Sequence, residues 1–417
     1  MSSTPLFGLL RSPNTVLIGR GQRVAVADHL PEGTRRVLIV TDERMAGLPA
    51  FASIRTSLER RASVELFTGV EPELPTGGLK KVAESFRATP PDVIVAVGGG
   101  SCIDFAKVLS LLLKHGGELP DYYGEFAVPG PITPVIAIPT TSGTGSEVTP
   151  VAVVSDPNRE LKVGISSPYL IPTVAICDPE LTDHTPAALT ANVGIDALAH
   201  CIESFTAIVR PPSTTLSSER VFVGNARLTE HFALAGIEAI GANLVKTIRK
   251  DQNGEDATAA RDELMLGSLC GGFALGTGGT AAAHALQYPI GGLTHTPHGL
   301  GIGVLLPYVM EFNRPAKVAE FARIARALGV TDQTTDEVEL SHLAVEAVAR
   351  IAYDIGIPTS LSEIGVTSET VHWIADRALL SRRLVDNNPR ELTTESLAEI
   401  TAAALDGSRS RLLAAAL

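Results

Sequence analysis

The chain has 417 residues, of which 45% are hydrophobic and 19% are charged. This length predicts two domains, or one large one, with an ample core, and this composition excludes a largely disordered protein. The formal net charge of −12 and the isoelectric point near 5.4 argue against nucleic acid or an anionic membrane surface as a partner.

The cysteines and the amino-terminal segment bear on the compartment. Residues 1–15 lack the charged and apolar regions of a signal peptide. The run 269–293 is apolar, but its glycines and one histidine predict a buried helix pair rather than a membrane span. A reduced, cytoplasmic setting is favoured by four scattered cysteines without a CxxC pair: Cys102, Cys177, Cys201 and Cys270.

The first half of the chain predicts alternating strands and helices. Short β-branched runs at 35–43, 62–69 and 91–101 have the length of strands, and an amphipathic segment at 79–86 has helical spacing. Alternation of this kind predicts an α/β domain built on a parallel sheet.

The third predicted strand ends in a glycine-rich turn. Gly98, Gly99, Gly100 and Ser101 lead directly into an apolar helical stretch. Glycines at such a turn let the backbone approach a phosphate, and the helix N-terminus offers free N–H groups and a positive dipole end. Because the pattern is not GxGxxG, a simple turn is the alternative interpretation.

A hydroxyl-rich loop follows the next predicted strand, within 133–156. It supplies Thr140, Thr141, Ser142 and Thr144 beside flexible glycines, as the pyrophosphate and nicotinamide side of a dinucleotide would require. The alternative is a Ser/Thr turn closed by local side-chain hydrogen bonds. Two such loops after neighbouring strands favour the dinucleotide.

Two charged residues are further candidates for cofactor contacts. Asp42 closes the first strand, where an acid can accept hydrogen bonds from ribose hydroxyls and repel a 2′-phosphate, which favours NAD over NADP. Lys162 is a candidate contact to a phosphate or to the nicotinamide side. Each could equally be a solvated surface charge.

The second half of the chain predicts helices. The β-rich pattern stops after 178–182, and apolar residues then recur at helical spacing to the C-terminus. The pair Thr185–Pro186 is typical of a helix start. We therefore predict an α/β domain over 1–183 and an all-helical domain over 184–417. A cofactor bound by the first and a metal held by the second would meet in a cleft between them.

Four potential metal ligands lie in or beside apolar segments of the second half. Asp196 and His200 are four residues apart, which places both on one helix face. His284 lies in another apolar segment, and His298 is expected in a loop just beyond it. A lone histidine in such a segment is more often a core residue, but an aspartate is rarely buried without a partner. One carboxylate and three imidazoles suit Fe²⁺ or Zn²⁺.

These segments resemble the iron-containing (group III) alcohol dehydrogenases over nearly the whole chain. The resemblance lies in 98–107, 139–150, 162–182, 194–205 and 284–299. It implies an N-terminal Rossmann-like dinucleotide-binding domain and an all-helical metal-binding domain, an architecture shared with dehydroquinate synthase.

The resemblance also implies cofactors and their contacts. The metal, Fe²⁺ or alternatively Zn²⁺, would be held by Asp196, His200, His284 and His298. The expected reaction is reversible hydride transfer between a small alcohol and the nicotinamide, in a homodimer or higher homo-oligomer. The residues expected to bind NAD, with NADP less favoured, are Asp42, Gly98, Gly99, Gly100, Ser101, Asp104, Thr140, Thr141, Ser142, Thr144, Lys162 and Leu181.

Several departures from the family pattern bear on the substrate. Tyr288 stands where the family commonly has a further histidine, and His295 stands where it has Asn or Asp. We interpret His295 as a candidate catalytic proton relay. The chain also has extra sequence over 210–232. Its glycine-rich segment 271–280 differs from the sequence that the family usually has there.

Other activities share this architecture. Hydroxyacid–oxoacid transhydrogenases resemble the chain in Tyr288 and in an insertion at 210–232, and a 4-hydroxybutyrate dehydrogenase-like activity is a related alternative. Dehydroquinate synthase-like lyases need several Lys and Arg for a phosphorylated substrate, whereas the segments around the proposed ligands are apolar. This favours a small uncharged alcohol or aldehyde as substrate. A non-catalytic nucleotide-binding protein is the least favoured alternative.

Overall fold

The computed structural model describes residues 6–159, 162–330 and 335–414. The chain divides into two compact units. The sheet unit comprises Arg11–Thr185 and Ser217–Val221. The helical unit comprises Met1–Leu10, Pro186–Leu216 and Phe222–Leu417.

The sheet unit contains two β-sheets. Its strands in chain order are β1 (Thr15–Ile18), β2 (Arg36–Val40), β3 (Ser63–Phe67), β4 (Val93–Gly98), β5 (Gly124–Glu125), β6 (Val135–Pro139), β7 (Val151–Val154), β8 (Val163–Ser166) and β9 (Val174–Cys177). Six of them form a parallel sheet in the order β1-β9-β6-β4-β2-β3. A smaller sheet has the order β5-β8-β7, with β7 antiparallel to β8. The predicted parallel α/β architecture is confirmed.

Helices cover both faces of the six-stranded sheet. Within residues 11–185 the α-helices of this unit are α1 (Glu43–Ala46), α2 (Pro49–Glu59), α3 (Leu79–Phe86) and α4 (Gly100–His115). Short 3₁₀ helices lie at Gln22–His29, Thr76–Gly78, Leu119–Tyr122, Pro168–Leu170 and Pro179–Thr182. In the central strand β4, Ile94 and Ala96 pack into the apolar cluster with α3 and α4, while Val93 and Val95 pack into the cluster with α2. Burial on both faces explains the unbroken apolar run, and each fully buried valine or isoleucine contributes about 1.5–3 kcal/mol.

From residue 186 onward the chain is largely helical in its described residues, as predicted, apart from an isolated β-bridge between Val209 and Gly224. Its α-helices are α5 (Ala187–Thr206), α6 (Leu216–Glu219), α7 (Arg227–Asn253), α8 (Thr258–Gly278), α9 (Ala282–Thr294), α10 (His298–Asn313), α11 (Val318–Ala327), α12 (Glu337–Asp354), α13 (Val371–Ala378), α14 (Arg382–Val385), α15 (Thr394–Asp406) and α16 (Ser410–Ala414). Further 3₁₀ helices lie at Arg314–Ala316, Leu361–Ile364 and Ser368–Thr370. Among the described residues, no helix is both long enough and apolar enough to cross a membrane.

Helix α5 lies at the centre of the helical unit. It begins one residue later than predicted, because Pro186 rather than Thr185 occupies the N-cap position, without a side-chain cap. From Gly194 to Thr206 every residue of α5 is buried. Helix α7 packs closely against it: a Cβ on Gly236 would lie 2.5 Å from Cys201 Sγ, so only glycine permits this approach.

A buried lysine joins α4 to the loop after β6. The Lys107 side chain has no exposed surface, and its ammonium donates hydrogen bonds to Ser146 Oγ (2.9 Å), Thr149 O (3.0 Å) and Val151 O (2.8 Å). These acceptors satisfy an ammonium that has been removed from water. Burial lowers the pKa of Lys107 to about 8, against the opposing effect of nearby carboxylates.

Glu147 gives this cluster a dependence on pH. Burial raises the pKa of its carboxyl group from 4.5 to about 7, although Lys107 opposes the shift. Between pH 4.5 and about pH 7, the Glu147 carboxyl group is therefore protonated in the folded state but ionised in the unfolded state. The stability contributed by this group therefore falls as the pH rises towards 7, by on the order of 3 kcal/mol.

We expect Glu147→Gln to remove this dependence, because an amide does not titrate in this range. The Tm of the variant relative to the wild type should rise between about pH 5 and about pH 7, as measured by thermal unfolding followed by circular dichroism. A Tm difference that is the same at both pH values would contradict the prediction.

Candidate metal centre and cofactor-binding edge

One face of α5 presents three ionisable side chains to the interior. Asp196, His200 and Glu203 lie at positions i, i+4 and i+7, so they project from the same side of the helix. Each of the three residues is at most 5% exposed. Burial of this many polar groups in an apolar helix is costly unless each one finds a partner.

Helices α9 and α10 bring two further imidazoles to this face. The ring of His284 stacks on that of His200, with centroids 5.0 Å apart, and the rings of His284 and His298 are 5.4 Å apart. His298 was expected in a loop but is the first residue of α10. Pro297 occupies the N-cap position and starts the helix at the histidine itself.

The four predicted metal ligands therefore converge. Asp196 Oδ1 lies 3.5 Å from His284 Nε2, 3.7 Å from His200 Nε2 and 3.8 Å from His298 Nε2. Donor atoms around one tetrahedral ion at normal bond lengths are separated by about 3.4 Å. Asp196 Oδ1 and His284 Nε2 are buried and accept or donate no hydrogen bond within the described part of the chain. The geometry and the donor types both fit a divalent transition metal.

The charges of the cluster are strongly coupled. Burial disfavours the Asp196 carboxylate, but the imidazoles of His200, His298 and His284 outweigh burial and hold its pKa well below the usual range. Burial likewise disfavours a charged His284, but the carboxylates of Glu203 and Asp196 raise its pKa to about 9. A metal that takes His284 Nε2 must therefore displace a proton near neutral pH.

Glu203 is a site residue that the sequence analysis missed. Its carboxylate accepts hydrogen bonds from His284 Nδ1 (2.6 Å), Ala281 N (3.0 Å) and Ala283 N (2.7 Å). Its spacing of three residues from His200, on the same apolar helix face, was a signal that could have identified it.

The proposed proton relay lies at the end of α9. His295 is exposed, has a left-handed backbone conformation (φ 54°), and donates from its main-chain N–H to Gly291 O (3.0 Å). Between the described residues there is no hydrogen bond or ring contact from the His295 side chain to the four predicted ligands. Its catalytic role stays a prediction.

In the sheet unit, the two predicted cofactor loops lie against each other. Gly98 ends β4, Gly99 is the N-cap of α4 without a side-chain cap, and α4 begins with Gly100 and Ser101. A Cβ on Gly100 would lie 2.6 Å from Thr144 Cγ2, so glycine is needed for this packing. The uncapped first turn of α4 leaves N–H groups that suit a phosphate.

The hydroxyl-rich loop follows β6, the neighbour of β4. Thr140 N donates to Gly98 O (3.1 Å), which joins the loop to the glycine turn. Thr140 and Ser142 are buried, whereas Thr141 and Thr144 are partly exposed. Thr144 Oγ1 accepts a hydrogen bond from Ser146 N (3.2 Å), so the local bonding expected of a Ser/Thr turn is present.

Two of the predicted cofactor residues contact other groups of the chain. The Asp104 carboxylate accepts hydrogen bonds from Ser146 Oγ (2.5 Å) and Val153 N (2.9 Å), so it braces the hydroxyl-rich loop. Lys162 forms an ion pair with Glu73. Direct contacts of Asp104 and Lys162 with NAD stay predictions.

Asp42 follows β2, and Leu181 follows β9. Asp42 caps α1 through its Oδ1, which accepts from Met45 N (2.8 Å), and its Oδ2 lies 4.0 Å from Cys102 Sγ in the first turn of α4. Leu181 and Met45 line a cavity of about 600 Å³.

The order of the strands explains why these residues come together. Candidate cofactor residues follow four adjacent strands: Leu181 after β9, Thr140 after β6, the glycine turn after β4 and Asp42 after β2. The carboxyl ends of parallel strands share one edge, and dinucleotides bind at that edge in open α/β sheets.

The fold and the two sites define a class: a dehydrogenase with a dinucleotide-binding sheet unit and a helical metal-binding unit. The chain matches the family description "iron-containing alcohol dehydrogenase" over residues 13–179 and the C-terminal description of that family over 190–405. The chain belongs to the iron-containing alcohol dehydrogenase family. The predicted family, enzyme class and use of NAD(H) with an iron-type metal are confirmed.

Similar proteins agree along almost the whole chain. NAD-dependent methanol dehydrogenase of Bacillus methanolicus is 32% identical over 94% of this chain and 98% of its own. Long-chain-alcohol dehydrogenase 1 of Geobacillus thermodenitrificans is 34% identical over 90% of this chain and 91% of its own. A crystal structure of 1,3-propanediol oxidoreductase has a TM-score of 0.87 at 30% identity, covering 96% of this chain and 100% of that one.

We expect Asp196→Asn to abolish tight metal binding, because the substitution keeps the size of the side chain but removes the anionic ligand. Bound metal should fall from about one equivalent per chain to near zero, and added Zn²⁺ should no longer raise the Tm. Elemental analysis and thermal unfolding with and without a chelator measure both effects.

The matched control is Glu311→Gln, which alters a buried carboxylate that pairs with Arg314 in the same unit. The control should retain its metal. Wild-type metal affinity in Asp196→Asn would refute the assignment of Asp196 as a ligand.

Proposed function

We propose that the protein is a metal-dependent NAD(H) oxidoreductase that interconverts a small alcohol and its aldehyde or ketone. One observation carries the proposal: Asp196 Oδ1 and His284 Nε2 are buried, close together and without a hydrogen-bond partner among the described residues. Buried polar atoms of this kind require a compensating partner. A divalent cation would supply it.

The metal would be held by four side chains: Asp196, His200, His284 and His298. Bound there, it would act as a Lewis acid that lowers the pKa of an alcohol oxygen or polarises an aldehyde carbonyl. The Asp196 carboxylate would reduce the positive charge of the site, and the neutral imidazoles would fix the geometry. We propose Fe²⁺ as the native ion, with Zn²⁺ as the alternative that the same donors suit.

The dinucleotide would lie along the carboxyl edge of the parallel sheet. Its pyrophosphate would face the glycine turn and the N-terminus of α4, where N–H groups and the helix dipole favour an anion. The Asp42 carboxylate would accept hydrogen bonds from the ribose and repel a 2′-phosphate, which favours NAD. The remaining proposed contacts are Ser101, Thr140, Thr141, Ser142, Thr144, Lys162 and Leu181, with Asp104 bracing the loop from behind.

The substrate is proposed to be small and uncharged. The segments that carry the ligands are apolar, and methanol and 1,3-propanediol, for which two of the similar proteins are named, are small and uncharged. The ring of Tyr288 lies 6.3 Å from that of His298, so this tyrosine would form part of the substrate pocket. A bulky phenol in place of a second histidine would make that wall less basic.

We also infer a cytoplasmic homodimer. The four cysteines are free and buried, which suits a reducing compartment. The dimer is an expectation from the family resemblance, and sedimentation of the purified protein would test it. The negative net charge disfavours nucleic acid as a partner.

Metal analysis combined with an NAD(H) assay tests the proposed function. We expect NADH to accumulate with simple primary alcohols, and the activity to vanish on chelation and return with Fe²⁺ or Zn²⁺. Turnover of a hydroxyacid with an oxoacid in the absence of free NAD would instead identify a transhydrogenase. Metal-loaded protein that produces no NADH from any alcohol would contradict the proposal.

Replacement of His295 tests the proposed proton relay. We expect His295→Ala to keep its metal but to change the pH dependence of kcat/KM, because the substitution removes a group that can accept and donate a proton. His372→Ala, which removes another exposed histidine on α13, is the control and should leave the profile unchanged. An unaltered profile in His295→Ala would eliminate the relay.

A further inference from the structure

We infer that Glu203 is a positioning residue that fixes the tautomer and the orientation of His284 for metal binding. The inference rests on the metal site proposed above. Glu203 lies on α5, whereas His284 lies on α9, 81 residues later in the chain. Their contact is short and buried: His284 Nδ1 and Glu203 Oε2 are 2.6 Å apart, and both side chains are about 5% exposed or less.

The hydrogen-bond partners of Glu203 determine which ring nitrogen carries the proton. Both carboxyl oxygens of Glu203 already accept main-chain N–H groups, so they act as acceptors and His284 Nδ1 donates. The lone pair of the neutral ring is then on Nε2, the atom that lies 3.5 Å from Asp196 Oδ1. Glu203 therefore selects the one neutral tautomer that can bind a metal at the cluster.

The same carboxylate also fixes the start of the helix that carries His284. Ala281 is the N-cap of α9 and has no side chain that could cap it. Glu203 accepts from Ala281 N (3.0 Å) through Oε2 and from Ala283 N (2.7 Å) through Oε1, so it acts as the missing cap. The helix start and the imidazole are thus held by one group.

Two further side chains restrain the segment before α9. Ser204, next to Glu203, donates to Gly279 O (3.1 Å). Asn387 donates to Gly278 O (2.9 Å) and to Thr280 O (3.1 Å). The backbone that leads to His284 is therefore restrained by both side chains. Glu203 also accepts the hydrogen bond from the His284 ring.

Glu203→Gln is the sharpest probe, because it preserves shape but replaces one acceptor oxygen by a donor. If the amide NH₂ faces Ala283 N–H, two donors oppose each other. If the NH₂ instead faces Ala281 N–H and the ring, His284 can accept only by moving its proton to Nε2, which removes the lone pair for the metal. Neither orientation reproduces the wild-type arrangement.

The experiment measures the affinity for Zn²⁺ by competition with a chromophoric chelator. We expect Glu203→Gln to bind Zn²⁺ about 10–100-fold more weakly than the wild type. The control is Glu230→Gln, which alters another buried carboxylate of the helical unit, paired with Arg227 and Arg323. The control should keep wild-type affinity. Equal affinity in Glu203→Gln and the wild type, or an equal loss in both variants, would overturn the inference.

A second measurement is made on the wild-type protein and does not depend on whether Glu203→Gln folds. In ¹⁵N-histidine-labelled, Zn²⁺-loaded wild type, NMR should show His284 protonated at Nδ1 and metal-bound at Nε2, with the resonance assigned through a His284 substitution. Metal on Nδ1, or an unprotonated Nδ1, would overturn the inference. Wild-type protein that binds no metal at all would refute the proposed metal site itself, which is a distinct result.

Discussion

The burial of a carboxylate among three imidazoles is the interaction on which the site in the helical unit depends. Asp196 is 4% exposed, and its surroundings on α5 are apolar. A carboxylate removed from water costs several kcal/mol unless opposite charge and hydrogen bonds compensate. The imidazoles of His200, His284 and His298 provide part of that compensation, and a divalent cation among them would provide the rest. Apolar packing holds the three histidines in place, and the histidines reduce the free-energy cost of burying the Asp196 carboxylate.

Much of the fold could be predicted because its signals are local. The run 36–40 alternates between two buried faces, and the segment Leu79–Phe86 forms a helix with the predicted bounds. The predicted start of α5 was wrong by one residue, because Pro186 occupies the N-cap position that was predicted for Thr185. His298 was misplaced in a loop for a related reason. A proline immediately before it starts α10, and the polar sequence around it suggested a turn.

The site was predictable only in part, because its most informative contacts join distant segments. The spacing of Asp196 and His200 reveals a shared helix face, but no local pattern shows that Glu203 reaches the backbone of Ala281. Lys107 is similar. Because Lys107 is three residues after Asp104, the sequence suggests an ion pair between them on a helix surface. Lys107 is instead buried, and its hydrogen-bond partners lie about forty residues away in the chain. Periodicity identifies which face a side chain is on, not which loop packs against it.

Lys107 and Glu203 show the same physical device in the two units. Each lies on the helix that also carries predicted site residues, and each makes at least three hydrogen bonds to a segment far away in sequence. A buried charge that loses its partners costs far more than an ordinary hydrogen bond gains. Moving either segment away from its buried charged group therefore costs more free energy than the loss of apolar contacts alone. Apolar packing tolerates small shifts in position, whereas a metal ligand or a phosphate-binding loop does not. Buried charged groups therefore occur where the positions of these site residues must be held within tight limits.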